Sequence, residues 1–274
     1  MKTVGRVADL RAALAPIRAA GRVGFVPTMG ALHEGHISLF RQARAECATV
    51  VASVFVNPRQ FDDPSDLAAY PRQEARDERL ALEAGVDILF VPPVSEIYPD
   101  GHVTMVQVGG PALGFEGARR PGHFTGVATV CAVLFNMVEP DAAWFGQKDA
   151  QQVAVVRQLV RDLALDLEIR VGPTARDADG LALSSRNARL SPDERRRAAA
   201  IPQALRAAVE ADRAGRDPAG AARRALDGLE VEYADVADFD GHRTLVVAVR
   251  AGGVRLIDNV RLDAPDLAGL QGSP

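Results

Sequence analysis

The sequence predicts an α/β protein. Residues 1–174 alternate strands and helices on a parallel sheet, and a smaller α+β part, 175–274, carries an antiparallel sheet. Three observations lead there. Apolar runs of strand length alternate with segments of helical period as far as about residue 173, which implies parallel strands joined by right-handed crossovers. One run, ATVVASVFV at 48–56, is continuous and rich in β-branched residues, as suits a strand buried on both faces. After residue 173 the pattern turns to Ala- and Arg-rich helical stretches and then three strand-like runs. The last two of these are joined by Ala251-Gly252-Gly253, a hairpin signal.

Taken in order, residues 7–20 have helical period, with Pro16 a weak point and Gly21 the end. A strand follows at 22–26 and Pro27 ends it. Residues 28–31 form a short connection, and a helix runs from there to about Glu46. The strand at 48–56 stops at Asn57-Pro58, ahead of the loop NPRQFDDPSDLAAYP. Residues 72–84 are a charged helix, 87–91 a strand, PPVSEIYPDGH a long Pro-rich loop, and 103–108 a short strand. Residues 114–124 (GFEGARRPGHF) are a Gly- and Arg-rich loop, 125–138 an apolar helix and 142–145 a strand ending in GQKD. A helix then runs through Asp162, and 167–171 is the last strand of the series. In the second part 192–211 and 218–226 are helical, and 231–238, 244–250 and 254–260 are strands.

Composition sets the class. The chain has 274 residues, 47% hydrophobic and 25% charged, enough for a sizeable core. A net charge of −4 argues against extensive non-specific nucleic-acid binding, while leaving room for a local cationic pocket. No run of eighteen apolar residues exists, so no membrane span is expected. Residues 1–20 are charged and amphipathic, unlike a cleavable signal, and the expected location is cytoplasmic. The two cysteines, Cys47 and Cys131, are expected as buried free thiols.

The stretch most suggestive of chemistry is VGFVPTMGALHEGH, residues 23–36. A strand, a turn and a helix start meet here, at the edge of a parallel sheet where ligands bind, with free helix N–H groups to meet an anion. His33 and His36 are three apart and share one face if 32–36 is already helical. Two imidazoles there can each donate to a phosphate. They can equally be surface histidines at a turn, with Gly30 and Gly35 serving only the bend. A zinc helix needs spacing four with a general-base Glu. Further strand-edge features are Gln60 on the 57–71 loop, Lys148 just before a helix, and Ser184–Asn187. Lysine there can reach phosphate oxygens, and the Ser-Ser-Arg run suits either an anion or a cap and turn.

TMGALHEGH, NPRQF, GQKDAQQ and DGLALSSRN, in that order and spacing, resemble the pantothenate synthetase (pantoate–β-alanine ligase) family over about residues 4–262. That family belongs to the HxGH nucleotidyltransferase superfamily. The resemblance implies a Rossmann-like nucleotide- and pantoate-binding domain at 1–174. A reactive acyl intermediate should be covered from water, so the smaller domain at 175–274, which carries Ser184–Arg186, is expected to act as a lid. The resemblance also implies an AMP-forming carbon–nitrogen ligase of pantothenate biosynthesis, supplying a coenzyme A precursor. ATP and Mg²⁺ would be used to join (R)-pantoate to β-alanine through a pantoyl adenylate, in a cytoplasmic homodimer with no nucleic-acid or membrane partner.

Residue by residue, Met29, Gly30, Ala31, Leu32, His33, Glu34, Gly35 and His36 would line the ATP site, with His36 matching the proton donor. Gly146, Gln147, Lys148 and Asp149 would contact the nucleotide, Ala175 the adenine side, and Leu183, Ser184, Ser185 and Arg186 the phosphates. His33, Lys148, Ser184, Ser185 and Arg186 join His36 as candidate catalytic groups. Gln60, Gln152, Pro27, Thr28 and Met29 would meet the small substrates. No protein metal ligands are implied, since Mg²⁺ would ride on phosphate oxygens and water. Ala150 stands where an aromatic is common, Leu183 where Met is common, and Gln147 where Glu is frequent. The rivals are a transferase that adenylylates a phosphate ester or mononucleotide on the same scaffold, and a non-catalytic ATP-binding regulator.

Overall fold

The structure is a computed structural model and describes residues 1–266 and Leu270. The second predicted part runs to residue 274, and its residues 267–269 and 271–274 lie outside the described residues. The chain divides into two compact units. The first is Met1–Gly146 with Gln151–Gly172. The second is Gln147–Ala150 with the chain from Pro173 onward.

The first unit holds β1 (Lys2–Val4), α1 (Val7–Leu14), β2 (Val23–Thr28), α2 (Glu34–Glu46), β3 (Thr49–Val54), α3 (Pro64–Ala68), α4 (Glu74–Glu83), β4 (Ile88–Phe90), α5 (Val94–Ile97), α6 (Phe115–Arg119), α7 (His123–Val138), β5 (Ala142–Gly146), α8 (Ala150–Asp162) and β6 (Glu168–Gly172). Its six strands form one sheet in the order β1-β4-β3-β2-β5-β6, and every pairing is parallel. Alternation along the central strands feeds two cores. Phe25, Val51, Ala143 and Phe145 pack with residues of α1, α7 and α8 on one face. Val26, Val50, Ala52, Ala142 and Trp144 pack with residues of α2 and α4 on the other. Both faces are covered, as a parallel sheet requires. From β2 the chain steps outward to β3 and β4, then returns to lay β5 on the other side of β2. The carboxyl ends of β2 and β5 are thus the point where strand order reverses, the place where such sheets bind ligands.

The second unit holds α9 (Pro192–Ala198), α10 (Ala200–Arg213), α11 (Pro218–Ala225), β7 (Glu230–Phe239), β8 (His242–Ala251) and β9 (Val254–Arg261). The three strands form an antiparallel sheet in the order β7-β8-β9. Ile201, Leu205, Ala208 and Val209 of α10 pack on Leu245, Val247 and Val249 of β8. The predicted class is what is found: a parallel α/β sheet plus a smaller α+β unit with an antiparallel sheet.

Several boundaries differ from the sequence reading. The first helix stops at Leu14 and residues 15–20 form turns, because Pro16 cannot donate the next helical hydrogen bond. Residues 103–108 are not a strand. The edge strand is instead Lys2–Val4, too short and too close to the terminus to show a period. The Pro-rich loop contains α5, and the Gly/Arg loop contains α6. Pro27 does not end β2, which continues to Thr28. Thr28 O faces β3, accepting from Phe55 N at 3.0 Å. Backbone direction alternates, so the N–H that Pro27 lacks falls on the β5 side, past the last paired residue, Phe25.

Candidate active site

The turn after β2 is held by a buried carboxylate. Gly30 and Ala31 are both left-handed, with φ of 81° and 51°. Two such residues in succession turn neighbouring N–H groups to one side. Asp77 of α4 accepts both, from Ala31 N and Leu32 N at 2.8 Å each, and is only 1% exposed. This contact offsets the steric cost of a left-handed alanine, roughly 1–2 kcal/mol. Thr28 adds a pin: its Oγ1 donates to Ser53 O (2.7 Å) and accepts from Gly30 N (3.2 Å).

The two histidines follow. The helix starts at Glu34, so the condition that 32–36 be helical is not met, and His33 is instead the cap of α2. Its Nδ1 accepts from Gly35 N at 3.2 Å, and His36 Nδ1 accepts from His33 N at 3.3 Å, a reciprocal capping box built from imidazoles. The rings lie 4.1 Å apart between centroids. Because each Nδ1 accepts, each neutral ring carries its proton on Nε2. The capped helix start thus pairs two Nε2–H donors with the positive end of a helix dipole.

Gln60 sits in a 3₁₀ turn, Pro58–Gln60, after β3, and is buried. Its Oε1 accepts from Asn57 Nδ2 (3.0 Å), and its Nε2 lies 3.0 Å from Met29 Sδ. The structure thus brings together Gln60 and Met29, two predicted positions 31 residues apart. The turn itself is fixed by Asn57 Nδ2 on Gly126 O (3.1 Å), by His123 Nδ1 donating to Gln60 O (2.9 Å), and by Tyr98 Oη donating to Asn57 Oδ1 (2.8 Å). Burial pushes the Tyr98 hydroxyl up to about 12 against the opposing pull of Arg59, so it stays a donor. Gly126 permits the approach of α7: a Cβ there would overlap the carbonyl oxygen of Arg59.

Of the remaining predicted positions in this unit, Pro27 and Thr28 end β2, Glu34 and Gly35 open α2, and Gly146 ends β5. Gln152 lies half-buried on α8. Its neighbour Gln151 is the buried one, accepting from Glu116 N (3.0 Å) and donating to the carbonyls of Pro111, Leu113 and Gly114.

The second unit carries Gln147, Lys148 and Asp149 in a 3₁₀ turn, with Lys148 Nζ 3.4 Å from Asp149 Oδ1. Ala175 and Leu183 are brought together as the two sides of a hairpin, Leu183 N donating to Ala175 O at 2.9 Å. Ser184 caps the following 3₁₀ turn, Ser185–Arg189, by accepting from Arg186 N at 3.2 Å. The anion and cap readings of this segment are therefore compatible: the cap uses the hydroxyl of Ser184, while Ser185 and Arg186 lie within the turn.

A sequence profile of the family described as Pantoate-beta-alanine ligase matches residues 2–261. This chain belongs to the pantoate–β-alanine ligase family. A pantothenate synthetase of Cereibacter sphaeroides is 50% identical over 270 residues, 93% of this chain and 97% of the relative. The crystal structure of pantothenate synthetase from Thermus thermophilus matches with a TM-score of 0.90 at 47% identity, covering 96% of this chain and 99% of that one. A pantoate-beta-alanine ligase from Francisella tularensis, complexed with beta-gamma ATP and beta-alanine, matches with a TM-score of 0.83 at 34% identity over 96% and 98%. As a pantoate–β-alanine ligase, the chain is an enzyme that forms the amide bond of pantothenate.

Sequence reasoning missed Asp77, Asn57, Gly126 and His123, which build the site from behind. Asn57-Pro58 shows in the sequence as a strand end and as the start of the NPRQF motif, neither of which tells what the Asn57 side chain holds. A glycine inside the apolar run 125–138 was the available signal for close backbone approach.

Proposed function

We propose that the chain makes pantothenate in two steps at the expense of ATP. The pantoate carboxylate attacks the α-phosphorus of ATP as pyrophosphate leaves, and the β-alanine amine then displaces AMP from the pantoyl adenylate. The observation that best supports this reading is the imidazole capping box of His33 and His36 at the point of strand-order reversal. Adenylation asks little covalent work of a protein, so fixed donors around the phosphates supply most of the rate.

In this reading Met29–His36 hold the triphosphate, with Nε2–H of His33 and His36 donating to its oxygens and His36 supplying the proton. Pro27, Thr28, Met29, Gln60 and Gln152 read the hydroxylated body of pantoate, and Gln60 also meets the amine substrate. Gly146, Gln147, Lys148 and Asp149 serve the nucleotide, with Lys148 on its phosphates. Ala175 lies along the adenine, and Leu183, Ser184, Ser185 and Arg186 take the phosphates.

Residues 1–174 act as the binding domain and 175–274 as a lid that keeps water from the mixed anhydride. Among the described residues no group of three or more His, Cys, Asp or Glu is arranged to hold a metal ion. Mg²⁺ would be carried on phosphate oxygens and water, where it would neutralise charge on the leaving pyrophosphate. A homodimer and a cytoplasmic location complete the proposal on the strength of the family relationship.

Incubation with ATP, Mg²⁺, pantoate and β-alanine tests it. AMP, pyrophosphate and pantothenate in equal amounts are expected. Pyrophosphate with a stable dinucleotide, formed only once a mononucleotide acceptor is added, would instead indicate the adenylylating transferase, and no turnover with either acceptor would indicate a regulator.

A further inference from the structure

Asn259 of β9 is buried, and its side chain faces the backbone of the Gln147–Lys148 turn. Its Nδ2 donates to Gln147 O at 2.9 Å and to Lys148 O at 2.8 Å, and its Oδ1 accepts from Gln147 Nε2 at 3.1 Å. Both amide protons and the amide oxygen are thus directed at two consecutive residues more than a hundred positions away. The two carbonyls belong to the peptide groups on either side of the Lys148 Cα. Holding both peptide planes fixes the two backbone torsions of Lys148, and so fixes where its side chain starts.

The preceding residue does parallel work. Asp258 forms a two-point ion pair with Arg176, at 2.6 and 3.1 Å, and Arg176 Nη1 also donates to Gly180 O at 3.1 Å. This ties the Ala175–Leu183 hairpin, which leads into Ser184–Arg186, to the same strand. Asp258 Oδ1 also accepts from Asn259 N at 2.8 Å. β9 packs against both the Gln147–Asp149 turn and the Ser185–Arg189 turn. A polar pair in the middle of an apolar strand costs stability unless both members are satisfied. Here the side-chain partners outside the strand lie in the Gln147–Asp149 turn and in the hairpin that leads into Ser184–Arg186, both of which carry proposed phosphate ligands.

We infer that Asn259 is a positioning residue for Lys148 in the ligation reaction, acting through the carbonyls of Gln147 and Lys148. The inference rests on the proposed role of Lys148 at the phosphates of ATP. Lysine is a point charge on a long stem, so its effect falls when its base shifts, even with the ammonium intact. Displacements of about 1 Å in such groups cost on the order of 10²-fold in rate.

The test is a double-mutant cycle on the full chain, read by steady-state kinetics and circular dichroism. Asn259→Ala should lower kcat/KM for ATP by about 10–100-fold, with a native spectrum and an unchanged KM for pantoate. In a Lys148→Ala background the same change should cost less than about three-fold, because the group it positions is gone. Asn259→Asp keeps shape and acceptor but has no N–H to donate, and it should copy the alanine variant. A fully active Asn259→Ala, or a loss that multiplies that of Lys148→Ala, would overturn the inference. So would failure of both Asn259 variants to fold. A fully active Lys148→Ala would instead remove the assigned role of Lys148, and the inference with it.

Discussion

Two buried carboxylates anchor the site-bearing loops of the two units, and they do so by different chemistry. In the first unit Asp77 accepts two backbone N–H groups of the Gly30–Leu32 turn. In the second, Asp258 pairs with the guanidinium of Arg176, which in turn holds the hairpin ahead of Ser184. One carboxylate replaces water on neutral amides, and the other neutralises a buried cation whose side chain is 7% exposed. The difference predicts how each loop fails. Neutral amides lose one hydrogen bond when a carboxylate becomes an amide, whereas a buried guanidinium loses its counter-charge.

The same isosteric change at both positions brings out that contrast. Asp258→Asn should destabilise the protein by about 3–5 kcal/mol, the usual cost of leaving a buried charge without its partner. Asp77→Asn should cost less, about 1–3 kcal/mol, for one amide left unpaired. Denaturant unfolding of both variants measures this. Equal losses would mean that the ion pair of the second unit is not desolvated as its burial indicates.

The next effect is on rate alone. His36→Ala should lower adenylation by about 10²–10³-fold, the typical cost of one transition-state donor, with a smaller loss of stability from the broken capping box. Normal turnover by a folded variant would take His36 out of the mechanism. A smaller effect is expected at Gly126, whose substitution acts on a loop rather than on a substrate contact. Gly126→Ala forces the Arg59–Gln60 backbone away, since the new Cβ would overlap the Arg59 carbonyl. It should lower kcat/KM for pantoate by about 10-fold or more and leave the KM for ATP nearly unchanged. A fall in ATP use alone would separate this loop from pantoate.

The smallest effect is confined to alkaline pH. Tyr98, buried and donating to Asn57, is held up to about 12 from an ordinary 10. Its folded value lies above its unfolded one, so its contribution to stability is complete below about pH 10 and is lost as pH rises towards about 12. Thermal unfolding of the parent and of Tyr98→Phe across that window should show the parent's advantage shrinking with pH. A constant difference would mean that the phenol is not shielded.

These contrasts also explain what could be read from the sequence. The parallel sheet was legible because Phe25/Val26 and Ala143/Trp144 feed opposite cores from strands that are apolar throughout. The histidine turn was legible because its partners, His33, Gly35 and His36, are neighbours in the chain. Lys2–Val4 was not, since three residues carry no period and gain their place only by pairing with β4. The Asp77, Asn57 and Asn259 contacts were not, because each bridges 45 or more residues at one of its ends. Asp258-Asn259 left a trace, two polar residues inside the apolar run VRLIDNVR, but nothing in that run identifies what they hold.

The most direct measurement is pantoate-dependent exchange of labelled pyrophosphate into ATP with Mg²⁺ present and β-alanine absent. The donors assigned to the first step, His33, His36 and Lys148, need no amine in order to act. Exchange should therefore proceed with pantoate alone and be absent with β-alanine alone. It should fall in His36→Ala by the same factor as the overall rate. Exchange that appears only once β-alanine is added would contradict the two-step adenylate route and point to a concerted ligation.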